Sequence, residues 1–163
     1  MPLKTVYCSG PISNINYDNA VDWYVDLQHR LHTSISTVRP MRGKAFLAQQ
    51  DRTVSDTAQE PTVEFTEIQS MMLTPQHIGN RDAWDVANVD AVVCNHTYAD
   101  GVSIGSILEV GMAWALRKPI VMVTRRDDAA LNQHPMLRQY ATGWFHDIQP
   151  AADYVNTLFE GYL

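Results

Sequence analysis

The stretch from Ala91 to Thr124, AVVCNHTYADGVSIGSILEVGMAWALRKPIVMVT, decides the fold. It begins with a short apolar run and continues through a loop rich in small residues. Apolar residues at helical spacing follow, and a second apolar run, IVMV, closes the stretch. A buried strand, a helix and another buried strand form a βαβ unit, whose two strands run parallel. The stretch therefore predicts a parallel sheet.

The same alternation continues on both sides of this unit. Strands are predicted in KTVYCSG and ISTVRP, and helices from Tyr17 to about His32, in LTPQHIGNRDAWDVANVD and in AADYVNTLFEGYL. A loop and a short helix are predicted in DDAALNQHPMLRQYAT. The segment from about 41 to 74 is less regular and carries the polar run AQQDRTVSDTAQE, which indicates a loop-rich excursion with a mobile tip. With 163 residues, the chain is expected to form a single domain over 1–163, an α/β fold whose parallel sheet is covered on both faces.

Composition excludes several classes of function. The net charge of −6 argues against a protein that binds a nucleic-acid polymer, because such proteins normally present a basic surface. No apolar run approaches the ~20 residues of a membrane span, and MPLKTVYCSG does not resemble a signal peptide. The two cysteines lie in apolar runs typical of buried strands, which favours a reducing, cytoplasmic location. The histidines are scattered, so neither a metal nor another cofactor is expected.

Candidate ligand-binding residues follow the predicted strands. In open α/β sheets, ligands bind at the carboxyl ends of the strands. The first strand ends in Tyr7, Ser9 and Gly10. The loop before helix SILEVGMAWALRK contains Ser103, Gly105 and Ser106, and the free N–H groups at a helix N-terminus favour an anion such as phosphate.

Glu109 follows this loop and has two competing interpretations. The spacing Ser106-x-x-Glu109 fits a capping box, in which both side chains bind backbone groups at the helix start. The alternative is that Glu109 is a catalytic carboxylate directed at a ligand held by the small residues before it. The helix N-terminus would then favour its ionised form.

A second pair of carboxylates lies in NRDAWDVANVD. Asp82 and Asp85 are three residues apart, so they share one side of a helix. They are either ordinary charges on a solvated helix face or part of a site. Trp84, between them, is more typical of a core or an interface than of a surface on which a base stacks.

Together these pieces resemble the nucleoside 2-deoxyribosyltransferase family, including its 2′-deoxynucleoside 5′-monophosphate N-glycosidase branch. The resemblance rests on VYCSGPI, RDAWDVANVDAVVCN, SIGSILEVGMAWALRKPIVMV and HPML, which occur in this order. It implies a Rossmann-like (flavodoxin-like) three-layer sandwich with a central parallel sheet. It also implies a homodimer or higher homo-oligomer with shared sites.

The resemblance also implies roles for individual residues. Glu109 matches the family's nucleophile, and Asp82 matches the acidic residue that engages the nucleobase and assists its departure. Tyr7 matches an aromatic residue that orients the nucleophile. His134 falls where the family uses a polar residue that reaches the neighbouring subunit's site. Asp85, Ser9, Gly10 and Ser106 are further candidates for substrate binding.

Position 103 bears on the substrate. The nucleoside-specific transferases carry an acidic residue six positions before the nucleophile, whereas the monophosphate glycosidases carry serine there and glycine two residues later. Here Ser103 and Gly105 occupy these positions. A carboxylate would repel a phosphate, whereas a hydroxyl and free amides attract it. A 5′-monophosphate is therefore favoured over a nucleoside. Arg42 and Lys44 either lie over the phosphate or are surface charges.

The expected activity is cleavage of the N-glycosidic bond of 2′-deoxyribonucleosides or, preferentially, their 5′-monophosphates. The sugar would pass through a covalent ester with Glu109 to another base or to water. Two alternatives stay open: a nucleotide-binding or sensing module without turnover, and a cytokinin-type nucleotide phosphoribohydrolase. The only partners expected are small-molecule substrates and further copies of the chain.

Overall fold

The computed structural model describes residues 3–49 and 52–161. Five strands of the described part form one sheet: β1 (Lys4–Ser9), β2 (Ile35–Val38), β3 (Ala91–Asn95), β4 (Ile120–Val123) and β5 (Gly143–Phe145). All neighbouring strands pair in parallel, in the order β2-β1-β3-β4-β5. This is the strand order of flavodoxin-like folds, so the predicted fold class is confirmed.

Eight α-helices of the described residues accompany the sheet: α1 (Tyr17–Arg30), α2 (Val54–Gln59), α3 (Glu67–Met72), α4 (Pro75–Asn88), α5 (Ile104–Ala115), α6 (Ala129–Asn132), α7 (Pro135–Tyr140) and α8 (Ile148–Phe159). Two separate apolar cores show how they are layered. Helices α1 and α8 pack on one face of the sheet, against Val6, Cys8 and Val93. Helices α4, α5 and α7 pack on the other face, against Tyr7 and Cys94. The result is a three-layer α/β/α sandwich.

The excursion is more regular than the sequence indicated. It contains a 3-10 helix (Ala45–Gln49) as well as α2 and α3. It is attached to the loop after β1, because the N–H of Val54 donates to the carbonyl of Ile15 at 2.7 Å. Residues 50 and 51 of the predicted mobile tip lie outside the described residues. Helix formation here follows from local caps, since Thr53 and Thr66 accept backbone N–H groups at the starts of α2 and α3.

Strand β5 was not predicted from the sequence. Its three residues, Gly143–Phe145, are too few to show an alternating pattern, and pairing with β4 creates the strand. The last helix begins at Ile148, three residues earlier than predicted. Its predicted end at residues 162 and 163 lies outside the described residues. Within the described part, no helix is both long enough and apolar enough to cross a membrane.

The strand order creates a crevice. From β1 the chain crosses to β2 on one side, whereas β3 and β4 extend the sheet on the other side. The connections therefore diverge above the carboxyl ends of β1 and β3, which leaves space between them. The segments at this edge are the loop after Ser9, the loop after Asn95 and the start of α5.

Candidate active site

The end of β1 presents two hydroxyl groups to one face of the sheet. Side chains alternate along a strand, so Tyr7 and Ser9 point to the same side, opposite Val6 and Cys8. The Tyr7 hydroxyl donates to Glu109 Oε1 at 2.8 Å, and the Ser9 hydroxyl donates to Glu109 Oε2. Both carboxylate oxygens of Glu109 are thus held by residues a hundred positions away in the chain.

Helix α5 places Glu109 on its inner side. Ser106, Glu109, Val110 and Ala113 are buried and recur at the spacing of one helix face. The helix begins at Ile104, and Ser103 caps it by accepting the N–H of Ser106 at 3.3 Å. Glu109 therefore lies in the second turn, beyond reach of the cap. The capping-box hypothesis for Glu109 is wrong.

Burial raises the pKa of Glu109 to about 7. The hydrogen bonds from Ser9 and Tyr7 favour the ionised form and oppose this rise, whereas Asp82 and Asp85 add to it. The sequence led us to expect that the helix N-terminus favours ionisation, but removal of Glu109 from water outweighs this effect. The result is a carboxyl group that changes its charge near neutral pH.

Tyr7 stays protonated at neutral pH. Burial, followed by the nearby Glu109 and Asp82 carboxylates, raises the pKa of Tyr7 far above its usual value. Its hydroxyl is therefore a permanent donor to Glu109. An orienting role for Tyr7 stays a prediction.

Asp82 lies on the inner side of α4. Its side chain is buried, and burial raises its pKa. Arg81 and Lys44 oppose the rise, and the Arg81 guanidinium lies 3.6 Å from Asp82 Oδ1. That oxygen is buried and has no hydrogen-bond donor among residues 3–49 and 52–161. A buried oxygen without a hydrogen-bond donor is costly, so it is a candidate contact for a ligand.

Asp85 is buried beside Asp82 but is already paired. Its two oxygens accept from the Arg42 guanidinium at 2.5 and 2.7 Å. The two carboxylates share a buried helix side as predicted, and the hypothesis of a solvated face is wrong. Trp84 is 64% exposed, so it does not belong to the core. A role for Asp85 in substrate binding stays a prediction.

Three cations surround these carboxylates. For Arg42 and Lys44 the sequence left a phosphate contact and a surface position open, whereas Arg81 was not predicted. Arg42 binds Asp85, whereas Arg81 donates to the carbonyl of Pro40 and pairs with Asp82. Lys44 is 2% exposed, so it is not a surface charge. For Arg81, its position next to Asp82 in the sequence could have indicated the ion pair. Burial of Lys44 depends on how the excursion packs, which no local pattern reveals.

The loop before α5 borders a cavity of about 310 Å³. Ser103 and Gly105 line it from one side, and Pro11, Ser13 and Asn14 from the other. Asp100 also lines it, paired with Arg125 at 2.6 Å. The cavity has room for the small anion that the sequence predicts at this helix start, and the Asp100 charge is balanced by its partner.

Three other predicted residues have distinct surroundings. Ser106 is buried, and its hydroxyl has no partner within the described part of the chain. Gly10 packs closely, since a Cβ there would lie 2.8 Å from the carbonyl oxygen of Asn95. The absence of a side chain at Gly10 therefore allows the chain after β1 to pack closely against the end of β3. His134 is exposed at the start of α7, and the structure shows no contact between it and Glu109.

His96 is a buried polar residue that the sequence analysis missed. It directly follows β3, and its backbone N–H donates to Val123 at 2.7 Å. Burial lowers its pKa, which keeps the imidazole neutral. Among the described residues, no group of three or more His, Cys, Asp or Glu side chains could hold a metal ion. The site as described therefore offers carboxylates, hydroxyls and cations.

We expect Tyr7→Phe to raise the pKa of Glu109 further, by about one unit, because a donor to the charged form is lost. Carboxyl carbon NMR titration measures this directly and needs no substrate. Tyr24→Phe is the matched control, since the Tyr24 hydroxyl is buried without a hydrogen-bond partner among the described residues. An unchanged titration of Glu109 in Tyr7→Phe would contradict the orienting role.

No protein-family model and no curated protein sequence matches the chain. Solved structures do match. A 2-deoxyribosyltransferase from Leishmania mexicana superimposes with a TM-score of 0.60 at 15% identity, covering 94% of this chain and 97% of that one. This chain has the fold of a 2-deoxyribosyltransferase. BlsM, solved in solution, gives a TM-score of 0.61 at 17% identity, over 99% and 94% of the two chains. The CMP N-glycosidase BcmB from Clostridium botulinum gives 0.47 at 16% identity, over 98% and 100%.

Proposed function

We propose that this protein is an enzyme of the nucleoside 2-deoxyribosyltransferase family that cleaves the N-glycosidic bond of deoxyribonucleosides or their 5′-monophosphates. The observation that carries the proposal is the pairing of Glu109 with Tyr7 and Ser9 beside the buried Asp82. Both oxygens of Glu109 accept hydrogen bonds, whereas one oxygen of Asp82 has no hydrogen-bond donor among the described residues. Two carboxyl groups in different surroundings suit a nucleophile and an acid.

The first step is displacement of the base. A Glu109 oxygen attacks the anomeric carbon and forms an ester bond, while the bond from that carbon to the base nitrogen breaks. The electron pair of the broken bond stays on the base, and the Asp82 carboxyl supplies a proton to it. Tyr7 and Ser9 hold the carboxylate in line with the sugar.

The second step releases the sugar. Another base or a water molecule attacks the anomeric carbon, and the ester bond to Glu109 breaks. Asp82, now ionised, accepts the proton of the attacking group. A base as acceptor gives transfer, and water gives hydrolysis. No cofactor is needed in either case.

The cavity beside α5 supports a 5′-monophosphate as the preferred substrate. Ser103 and Gly105 border it, where free N–H groups at the helix start favour an anion. Ser103 stands where an acidic residue would repel a phosphate. Ser106, whose hydroxyl has no partner among the residues that the structure describes, is a further donor one helical turn before Glu109.

We also propose a homodimer or larger homo-oligomer. Exposed apolar side chains lie on the three helices that cover one face of the sheet: Trp84 on α4, Ile104 and Leu108 on α5, and Met136 on α7. Helix α5 packs between α4 and α7, so these side chains belong to the same layer. An exposed apolar surface of this kind is typical of an interface. His134, beside Met136, would then reach the site of the neighbouring subunit.

Leu108→Asp is expected to separate the subunits, because it places a charge in this apolar surface. Light scattering after size-exclusion chromatography measures the mass, which should fall to that of one 18.4 kDa chain. Val25→Asp is the matched control, since Val25 is also an exposed apolar residue but lies on α1, across the sheet. A wild-type protein that is already monomeric would contradict the proposed assembly.

The activity is tested by chromatography of free base. The protein is incubated with deoxynucleosides and their 5′-monophosphates, each with and without a second base. Base release supports the proposal, and formation of a new nucleoside or nucleotide distinguishes transfer from hydrolysis. Faster release from monophosphates supports the phosphate site. Absence of release from every donor would leave the sensing module or a ribonucleotide substrate as the better explanation.

A further inference from the structure

A second cavity, of about 400 Å³, lies beside the first. Ser13 borders both cavities. The walls of the second are mostly apolar and come from the excursion and α4, including Leu47, Val54, Leu73 and Ile78. Lys44 is the single charged residue among those that line it. A mostly apolar space with a few polar groups, here Lys44 with Ser13, Ser55 and Gln59, is typical of a site for a small ligand such as a flat heteroaromatic ring.

Lys44 is unusual because it is buried and unpaired. The residue is 2% exposed, and none of the residues 3–49 and 52–161 accepts a hydrogen bond from its ammonium. Its backbone is fixed by the bond from its N–H to Met41 and by the bond from Leu47 to its carbonyl. Burial, together with Arg81 and Arg42, lowers its pKa to about 8, so it remains largely a cation at neutral pH. A buried, unpaired cation beside a cavity calls for an acceptor on a ligand.

Asp82 and Lys44 lie close enough for their charges to interact, and both are near the second cavity. Ile78, which lines the cavity, is one helical turn before Asp82 on α4. Asp82 and Lys44 also influence each other's charge, since each shifts the pKa of the other. A base that accepts a proton from Asp82 while lying in this cavity therefore presents neighbouring atoms to the two residues. In a purine, the ring nitrogen N7 and the substituent at carbon 6 are adjacent on one edge.

We propose that Lys44 selects the leaving base by donating a hydrogen bond to an oxo group, so that the site favours 6-oxopurines over 6-aminopurines. This inference rests on the proposed function and names the base class for it. An ammonium has three donors and no acceptor, so it pairs with the oxygen of hypoxanthine or guanine. The amino group of adenine would place donor against donor in a buried site. The cation also stabilises the negative charge that develops on the departing base.

The test is equilibrium binding of hypoxanthine and adenine, measured by calorimetry with wild type and Lys44→Met. Wild type is expected to bind hypoxanthine about 10- to 100-fold more tightly than adenine. Lys44→Met should remove this difference, mainly by weakening hypoxanthine binding. Lys118→Met is the matched control, because Lys118 donates to Val89 at 2.7 Å and lines neither of these two cavities. Methionine fills a similar volume without a buried charge, so the melting temperature should not fall.

A second measurement separates this inference from the proposed function. Base release from deoxyinosine and deoxyadenosine, as nucleosides and as 5′-monophosphates, should show the same preference in kcat/KM. Equal affinities for the two bases in wild type, or equal losses for both in Lys44→Met, would overturn the role of Lys44. Binding that discriminates between the bases without any base release would keep that role and overturn the enzyme activity instead.

Discussion

Glu109→Gln is expected to lower the rate of base release by at least about 10³-fold, because an amide does not attack the anomeric carbon. Glutamine has nearly the same shape, so packing against Val110 and the sheet should persist. One of its two polar atoms becomes a donor, however, and would face the hydroxyl of Tyr7 or Ser9. The measurement is the rate of free-base release with saturating substrate, together with a thermal melt that shows the variant is folded.

Two further observations make this test specific. Glu160→Gln changes an exposed glutamate at the end of α8 and should retain full activity. Wild type stopped by acid during turnover should carry one deoxyribosyl or deoxyribosyl-phosphate group, and proteolysis should locate it on the peptide that contains Glu109. An adduct elsewhere, or a Glu109→Gln variant with more than about a tenth of the wild-type rate, would overturn the nucleophile assignment.

Burial of Glu109 lowers the stability of the folded protein at neutral pH. Glu109 occupies a position where the helix pattern calls for an apolar residue, between Ser106 and Val110 on the inner side of α5. Its raised pKa means that ionisation in the folded protein is less favourable than in the unfolded chain. Stability that is present at low pH is therefore lost as pH rises towards and through about 7. A carboxyl group kept at such a position is typical of a functional site.

The sheet and its edge could be predicted from the sequence, because both follow from local patterns. The apolar run AVVC and the spacing of Ser106, Val110 and Ala113 predict a strand and a helix, and the chain alternates in this way throughout. The spacing of Asp82 and Asp85 likewise predicts one shared side of α4. These features depend on neighbours within one element.

The remaining features depend on contacts between distant parts of the chain. Arg42 reaches Asp85 only because the excursion folds back over α4. Burial of Lys44 has the same origin, and a lysine in PMRGK looks like any surface charge. The position of Glu109 beyond the helix cap depends on where α5 begins, and serines at 103 and 106 both fit a cap by sequence. Tertiary contacts, which local spacing does not encode, decide these points.

Asp82→Asn is expected to slow base release about 10²- to 10³-fold, because asparagine has no acidic proton to deliver to the leaving base. The Asp82 carboxyl is buried and its raised pKa favours the protonated form that this step needs. The active form requires an ionised Glu109 and a protonated Asp82, so activity should rise with pH, pass through a maximum and fall once both groups are ionised. Asp82→Asn should keep the rise and lose the fall, as measured by kcat/KM against pH.

A substrate whose base departs without receiving a proton distinguishes proton delivery by Asp82 from general damage to the site. A 7-methylpurine deoxyriboside already carries a positive charge on its base, so its departure needs no acid. Asp82→Asn should cleave it at a rate close to that of wild type, whereas Glu109→Gln should fail with both donors. Asp153→Asn, on α8 across the sheet, is the control and should leave both rates unchanged. Equal losses on ordinary and methylated donors would assign Asp82 to binding, because only proton delivery is made unnecessary by the methyl group.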